Sequence, residues 1–292
     1  ITLQSVMAAK FTAEKFTATA NVLYTQTDEK AKNGDAAENH RKVSPCLAVS
    51  TQPFDDIDLH FRAFYKNIFR LPTFNDLYYS LVGKRDLKPE DAQQFNLGLT
   101  YGISGSDHLS FLSFAADVYR NTIKNKIVAV PVKNMFEWSM VNYGKVRIDG
   151  IDLSLESIFK LPHTMSLSAG GTFSYQKALN MTDPQSSTYK NQIPYTPRTS
   201  GAAHATMEMP WFNVSYTLLW SGVRYALAEN IPQNRLPGYT DHSFSLSKVI
   251  NAKRHTWHVS VEALNVGDKN YEIVRNFPMP GRSFRGTVSI DF

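Results

Sequence analysis

The sequence has 292 residues, 42% of them hydrophobic and 12% aromatic, with one cysteine and a net charge of +5. No run approaches the roughly 18 consecutive apolar residues of a membrane-spanning helix, so helical membrane insertion is excluded. A single cysteine excludes an internal disulfide and a cysteine metal cluster. The charges also lack the run of Lys and Arg typical of a nucleic-acid-binding patch. We therefore expect no cofactor and no nucleic-acid partner.

Apolar and polar residues alternate along most of the chain, nearly perfectly in residues 16–24, 95–103, 164–176 and 212–220. Successive side chains of a β-strand point to opposite faces, so this period of two predicts strands with one apolar and one polar face. In chain order, about thirteen strands are predicted near residues 1–10, 14–27, 43–52, 57–66, 93–104, 108–130, 146–158, 163–177, 199–209, 211–222, 240–249, 255–266 and 283–292. The predicted fold class is all-β and antiparallel.

The predicted connections alternate in length. Short ones lie near residues 53–56, 104–107, 159–162, 210 and 250–254. Long ones lie near residues 28–42, 67–92, 131–145, 178–198, 223–239 and 267–282. Short turns at one rim and long loops at the other are typical of a transmembrane β-barrel of the outer membrane, whereas a sandwich with Greek-key crossings does not sort its loops in this way.

Aromatic residues gather at both ends of the apolar face. They are Tyr24, Tyr65, Tyr175 and Trp220 toward the long loops, and Phe16, Tyr101, Phe212, Trp257 and Phe292 toward the short turns. Two such girdles are expected where strands cross the two interfaces of a bilayer. A large soluble barrel or propeller is the alternative, because periodicity alone does not decide which face is inside. In a bilayer, Leu97, Leu99, Leu167, Val214 and Leu218 would face lipid, and Asn96, Thr100, Ser166, Ser168 and Ser215 the lumen.

Two motifs resemble those of TonB-dependent outer-membrane receptors. The first is FYKNIFRLPTFNDLYYSLVGKRDLKPEDAQQFNLGLTYG, residues 64–102, and the second is LNVGDKNYEIVRNFPMPGRSFRGTVSIDF, residues 264–292. The resemblance implies an N-terminal plug domain, a partner TonB complex reached through that plug, and a barrel of roughly 22 strands. We therefore expect residues 1–292 to be the C-terminal part of such a barrel, with the plug absent. The direction of the first predicted strand agrees with a missing N-terminal part. This strand would run from the long-loop rim to the short-turn rim, whereas a complete single-chain barrel is expected to start at the short-turn, periplasmic rim.

The resemblance also assigns a role to the last predicted strand. In this family such a strand is read by the outer-membrane assembly machinery and then pairs with the first strand to close the barrel. Its apolar residues here are Phe284, Val288, Ile290 and Phe292. Closure matters because unpaired backbone groups in hydrocarbon cost several kcal/mol each.

The long loops carry the candidate ligand-binding residues, Arg70, Phe74, Tyr78, Tyr79, Arg85 and Trp138, with Met135 and Phe136 beside the last of these. Aromatic and cationic side chains together suit a bulky, often anionic ligand. The alternative is that these rings pack the loops together or belong to the headgroup belt. The resemblance also bears on haem, because receptors of this family that take haem often carry a His inside the first motif. Residues 69–90 contain none, which disfavours haem, although His40 lies in another long loop. Ferric siderophores and cobalamin both stay open.

The leading hypothesis is an importer of a scarce nutrient in the outer membrane of a Gram-negative bacterium, with lipid and lipopolysaccharide around it. Arg275, Arg282 and Arg285 are candidates for contacts with lipopolysaccharide phosphates or with the plug. The alternatives are a passive porin-like or structural barrel and an outer-membrane enzyme. Catalysis is not expected, because no nucleophile-elbow or His-Glu-x-x-His motif occurs and the neighbours Asp241 and His242 would point to opposite faces.

Overall fold

A computed structural model describes residues 1–30, 36, 38–79, 82–105, 107–131, 138–252 and 254–292. In chain order the elements are β1 (Thr2–Ala13), β2 (Phe16–Thr27), β3 (His40–Thr51), β4 (Asp58–Arg70), α1 (Phe74–Tyr78), β5 (Glu90–Ser104), β6 (Leu109–Pro131), β7 (Trp138–Lys160), β8 (Ser166–Asn180), β9 (Thr199–Glu208), β10 (Asn213–Ser221), β11 (Arg224–Tyr225), a 3-10 turn (Pro232–Asn234), β12 (Arg235–Leu236), β13 (Tyr239–Ala252), β14 (His255–Leu264), β15 (Glu272–Val274), β16 (Phe277–Pro278) and β17 (Ser283–Asp291). Within these residues, no helix is long and apolar enough to cross a membrane.

Thirteen long strands of the described chain form one antiparallel sheet in the order β1 to β10, β13, β14 and β17. We call this sheet the wall. Each wall strand pairs with the next one along the chain, and β1 and β17 stand at the two edges. The remaining strands form two small hairpins, β11 with β12 and β15 with β16, in the last two long loops. The wall confirms the predicted antiparallel fold class and all thirteen predicted strands.

The predicted start of β7 is wrong. Residues 138–145, expected in a long loop, continue the strand and pair with β6 as far as Pro131 and Trp138. The pairing passes Asn125, whose φ of 53° lies in the left-handed region that Asn tolerates better than most residues. The long hairpin satisfies its own backbone groups and offers a surface on which a neighbouring loop packs, a tertiary effect that local alternation does not report. Met135 and Phe136 lie outside the described residues.

The registers separate the wall into two faces. One cross-strand row reads Ala63, Leu97, Val118, Ile151 and Tyr175 on β4 to β8, and the adjacent row on the opposite face reads Arg62, Gly98, Asp117, Asp152 and Ser174. Followed across the sheet, the registers place all five residues expected to face lipid on the first face and all five expected to face the lumen on the second. We call these the apolar face and the polar face.

The long loops cover one face of the wall. Val146 and Ala178, both on the polar face near the long-loop rim, are fully buried in a cluster with Ile193 of the loop between β8 and β9. Large side chains of the apolar face stay uncovered, and Leu97 is 63% exposed. A continuous uncovered apolar face is unfavourable in water and is expected where strands meet lipid. The long loops thus cover the polar face, and the apolar face is the one left open.

Two ion pairs join neighbouring strands on the polar face. Arg62 Nη2 donates to Asp117 Oδ2 at 2.5 Å on the polar face. Arg285 and Glu262 form another ion pair on that face, where the β14–β17 register sets them opposite each other. Of the two contacts suggested for Arg285, its place on the polar face beside Glu262 disfavours the one with lipopolysaccharide phosphates.

Candidate ligand-binding site

The loop between β4 and β5 is anchored at its start by a helix cap. Thr73 Oγ1 accepts a hydrogen bond from the Asp76 amide at 3.2 Å, and Asp76 Oδ2 accepts one from the Thr73 amide at 2.8 Å. This reciprocal capping box defines the start of α1. The cap places the Asp76 carboxylate within reach of the Arg70 guanidinium.

Arg70, predicted as a ligand contact, sits between two carboxylates. Its guanidinium lies 3.3 Å from Asp76 Oδ2 and 3.1 Å from Glu90 Oε1. Glu90 Oε1 also accepts a hydrogen bond from the Ile127 amide of β6 at 2.7 Å. Arg70 thus links α1, β5 and the β6–β7 hairpin, and its positive charge is balanced within the protein.

The same loop packs on the β6–β7 hairpin. Leu77 and Leu87 are buried in a cluster with Ile127, and Met140 packs against it. The Asn142 side chain accepts a hydrogen bond from the Lys88 amide at 2.8 Å and donates one to the Lys88 carbonyl at 3.0 Å. These contacts hold the described part of the loop against the long-loop rim.

The exposed part of this loop carries four of the predicted residues, which we call the aromatic patch: Phe74, Tyr78, Tyr79 and Arg85. The Phe74 ring is 79% exposed and its centroid lies 6.0 Å from that of Tyr78. The Arg85 guanidinium carbon lies 5.9 Å from the centre of the Tyr78 ring, and Tyr79 is 53% exposed. The patch therefore offers open aromatic surface with a cation beside it, a combination suited to stacking and charge-assisted contacts.

Trp138 belongs to a different contact. It is the first residue of β7, and its ring centroid lies 5.9 Å from that of Tyr195 in the loop between β8 and β9. The Tyr195 amide donates to the Tyr225 carbonyl at 2.8 Å. This hydrogen bond joins the loop between β8 and β9 to the loop between β10 and β13. Burial raises the pKa of Tyr195. The structure thus groups Trp138 with Tyr195, whereas Phe74, Tyr78 and Arg85 group together.

Sequence reasoning missed a buried arginine that ties the last two long loops together. Arg224 is 3% exposed, and its guanidinium donates to the carbonyls of Pro237, at 3.2 Å, and Glu272. The same guanidinium lies 5.3 Å from the centre of the Tyr239 ring. Burial lowers the pKa of Arg224. Arg224 joins residues 13 and 48 positions away, a separation for which the sequence carries no local signal.

Tyr239 extends this contact to the last loop. Its ring stacks on that of Tyr271 at 4.1 Å, and the Tyr271 hydroxyl donates to Asp241 Oδ2 at 2.8 Å. Burial, with the hydrogen bond to Asp241 as the next cause, raises the pKa of Tyr271. We call Arg224, Tyr239, Asp241 and Tyr271 the loop clamp.

The residues of the second sequence motif shape the base of the last loop. The Asn265 side-chain Nδ2 donates to the carbonyls of Lys269, at 2.9 Å, and Pro280, at 3.1 Å. Asp268 Oδ1 accepts from the Arg282 amide at 2.8 Å, and a Cβ at Gly281 would lie 2.9 Å from that oxygen. These motif residues organise the loop itself.

The residues expected to form the assembly signal lie at the edge of the wall. Phe284, Val288 and Ile290 are on the apolar face of β17, opposite Ala263, Val259 and Trp257 of β14. Phe292 follows the end of β17, and its ring meets that of His255 edge-on at 5.1 Å. These side chains therefore lie along the apolar face of the edge strand and just beyond its end.

Comparisons with known proteins point to one family. Residues 7–266 match the family described as TonB dependent receptor-like, beta-barrel. The chain is 26% identical to the vitamin B12 transporter BtuB of Vibrio vulnificus over 140 residues, which cover 48% of this chain and 21% of that protein. In fold it resembles the ferric citrate transporter FecA, with a TM-score of 0.76 and 14% identity over 99% of this chain and 45% of that one. It also resembles the copper transporter OprC, with a TM-score of 0.73 and 16% identity over 98% and 48% of the two chains. The chain thus spans less than half the length of these proteins.

Proposed function

The chain belongs to the TonB-dependent receptor β-barrel family, and from that premise we propose that residues 1–292 form the C-terminal part of a receptor barrel. The complete receptor lies in the outer membrane of a Gram-negative bacterium and imports a scarce nutrient such as a ferric siderophore or cobalamin. The proposal includes an N-terminal plug through which the TonB complex acts. It also includes assembly of the barrel through the β17 end, read by the outer-membrane assembly machinery.

The observation that carries the proposal is the exposed aromatic patch above the polar face. Loop rings that served only to pack would be covered, yet Phe74 and Tyr79 are mostly exposed. Arg85 is exposed beside them, while Arg70 is occupied by two carboxylates. Open rings with one available guanidinium favour a flat, anionic ligand, since rings stack and Arg makes bidentate contacts.

The names of the similar proteins include vitamin B12, ferric citrate and copper transporters. These names span several ligand chemistries, so they support nutrient import without choosing a ligand. A ferric catecholate siderophore and cobalamin are therefore the two probes for the test.

We expect the substitutions Tyr78→Ala and Tyr79→Ala together to weaken uptake in cells that express the complete receptor. Each lost ring contact contributes about 0.5–1.5 kcal/mol, so the two together should raise the concentration for half-maximal uptake by about five- to a hundredfold. Trp211→Ala is the matched control, because Trp211 is an exposed ring in the turn between β9 and β10 at the opposite rim. Uptake that is unchanged in the double variant for both probes would show that the patch is not the binding site.

A further inference from the structure

Cations replace apolar side chains at one end of the outward face of the wall. One row along the apolar face reads Phe95, Arg120, Asp149 and Lys177 on β5 to β8. The next rows on that face, toward the long loops, place Arg147 on β7 and then Lys124 opposite Lys145. We call Arg120, Lys124, Lys145, Arg147 and Lys177 the outer cation cluster. At the opposite end, the same face finishes in rings such as those of Phe16, Tyr101 and Trp257.

The carboxylates facing this cluster do not balance it. Asp149 lies 2.6 Å from Arg120 Nε and 3.2 Å from Arg147 Nε. Asp91, opposite Lys124 in the register, is bound by Lys42 Nζ at 2.5 Å. Five cations therefore share one patch with Asp149, and the Arg120 side chain is 62% exposed. Like charges so close together repel each other, and an external anion would relieve that repulsion.

An apolar groove of about 730 Å³ leads into the cluster along the same face. The row Ala63, Leu97, Val118, Ile151 and Tyr175 lines it, and Arg120, Asp149 and Lys177 stand at one end. The cation row is two residues along each strand from the apolar row, about 7 Å at the usual rise per residue. Charge and groove together form an amphipathic surface on the outward side of the wall.

We propose that the outer cation cluster binds the phosphate groups of a membrane lipid whose acyl chain lies in this groove. Several cations on adjacent strands suit a lipid with two or more phosphates, because each phosphate accepts several charge-assisted hydrogen bonds. The location fits a headgroup, since the cluster adjoins the apolar face at its long-loop end, where an interface lies. The inference rests on the membrane orientation in the proposed function. It concerns the opposite side of the wall from the loops that carry the nutrient site.

The test measures lipid bound to the complete, detergent-purified receptor by native mass spectrometry. The probes are diphosphoryl lipid A, its dephosphorylated form, phosphatidylcholine and inorganic pyrophosphate. We expect the unmodified receptor to retain diphosphoryl lipid A at least tenfold better than the dephosphorylated form or phosphatidylcholine. Equal retention of these three lipids would overturn the proposal. Pyrophosphate that binds as tightly as the lipid would overturn the role of the groove.

Two sets of substitutions locate the site. Arg120→Gln, Arg147→Gln and Lys177→Gln together should lower retention at least tenfold. Lys124→Gln with Lys145→Gln should lower it several-fold without removing a partner of Asp149. Lys248→Gln is the matched control, because Lys248 lies on the same face near the opposite rim. Ala63→Trp should fill the groove and reduce lipid retention. Retention equal to that of the unmodified receptor in both cation variants would overturn the assignment.

Nutrient uptake by the same variants separates this inference from the proposed function. Cation variants that lose lipid but keep uptake support both proposals, since the two sites lie on opposite sides of the wall. A receptor that binds the lipid but imports neither nutrient probe contradicts the proposed function alone. Cation variants that keep the lipid contradict this inference alone.

Discussion

The wall and the loops at its long-loop rim are ordered by different means. In the wall, every strand repeats the same backbone ladder and the same alternation of side chains, as the row Leu97, Val118 and Ile151 shows. In the loops, order depends on single contacts that occur once, such as those of Arg224 and Asn142. A substitution in the wall should therefore affect the fold as a whole, whereas one in a loop should act locally.

The first test of this comparison is a charge placed on the outward face. Leu153 lies on the apolar face near the middle of β7, and Ser154 lies next to it on the polar face. Leu153→Arg should destabilise the folded barrel in lipid by about 2–4 kcal/mol, because a cation near the bilayer midplane loses its hydration. Ser154→Arg, which points to the wet side, should change the free energy of unfolding by much less. A folding titration in lipid vesicles measures both, and equal losses would remove the distinction between the faces.

A smaller and more local effect is expected from Arg224→Ala. The substitution removes charge-assisted hydrogen bonds to carbonyls of two loops and leaves them without that donor, at a cost of about 1–3 kcal/mol. Amide hydrogen exchange should speed up in residues 222–238 and 266–282, while β6 and β7 keep their protection. Arg235→Ala is the control, because Arg235 is exposed in the same loop. Uniform loss of protection across the wall would show that the loop clamp stabilises the whole sheet.

The wall could be predicted from sequence because its physical rule is local and repeats every two residues. The same rule separated Asp241 from His242, and the structure confirms it: Asp241 receives a hydrogen bond from Tyr271, while His242 pairs with the Tyr216 hydroxyl on the other face. The match of residues 7–266 also confirms the family resemblance drawn from the two motifs.

The loops could be predicted only in part. Their composition pointed to Phe74, Tyr78 and Arg85, which the structure brings together. It did not separate these from Arg70, whose role depends on Glu90, twenty positions away. The Arg224 contacts were beyond reach for a related reason, since two of its partners are backbone carbonyls, which every residue has. Such contacts depend on the tertiary fold and leave no mark in a short window of sequence.

The orientation proposed for the wall has its apolar face toward lipid and its polar face toward water. Its most direct test is a set of nitroxide labels on β7 of the complete receptor in lipid vesicles, with Cys46 first replaced by Ser. Single substitutions Ile151→Cys, Asp152→Cys, Leu153→Cys and Ser154→Cys provide the attachment sites. Labels at 151 and 153 should collide mainly with oxygen, which concentrates in hydrocarbon, and labels at 152 and 154 mainly with a water-soluble nickel chelate. The reverse alternation, or none, would contradict this orientation.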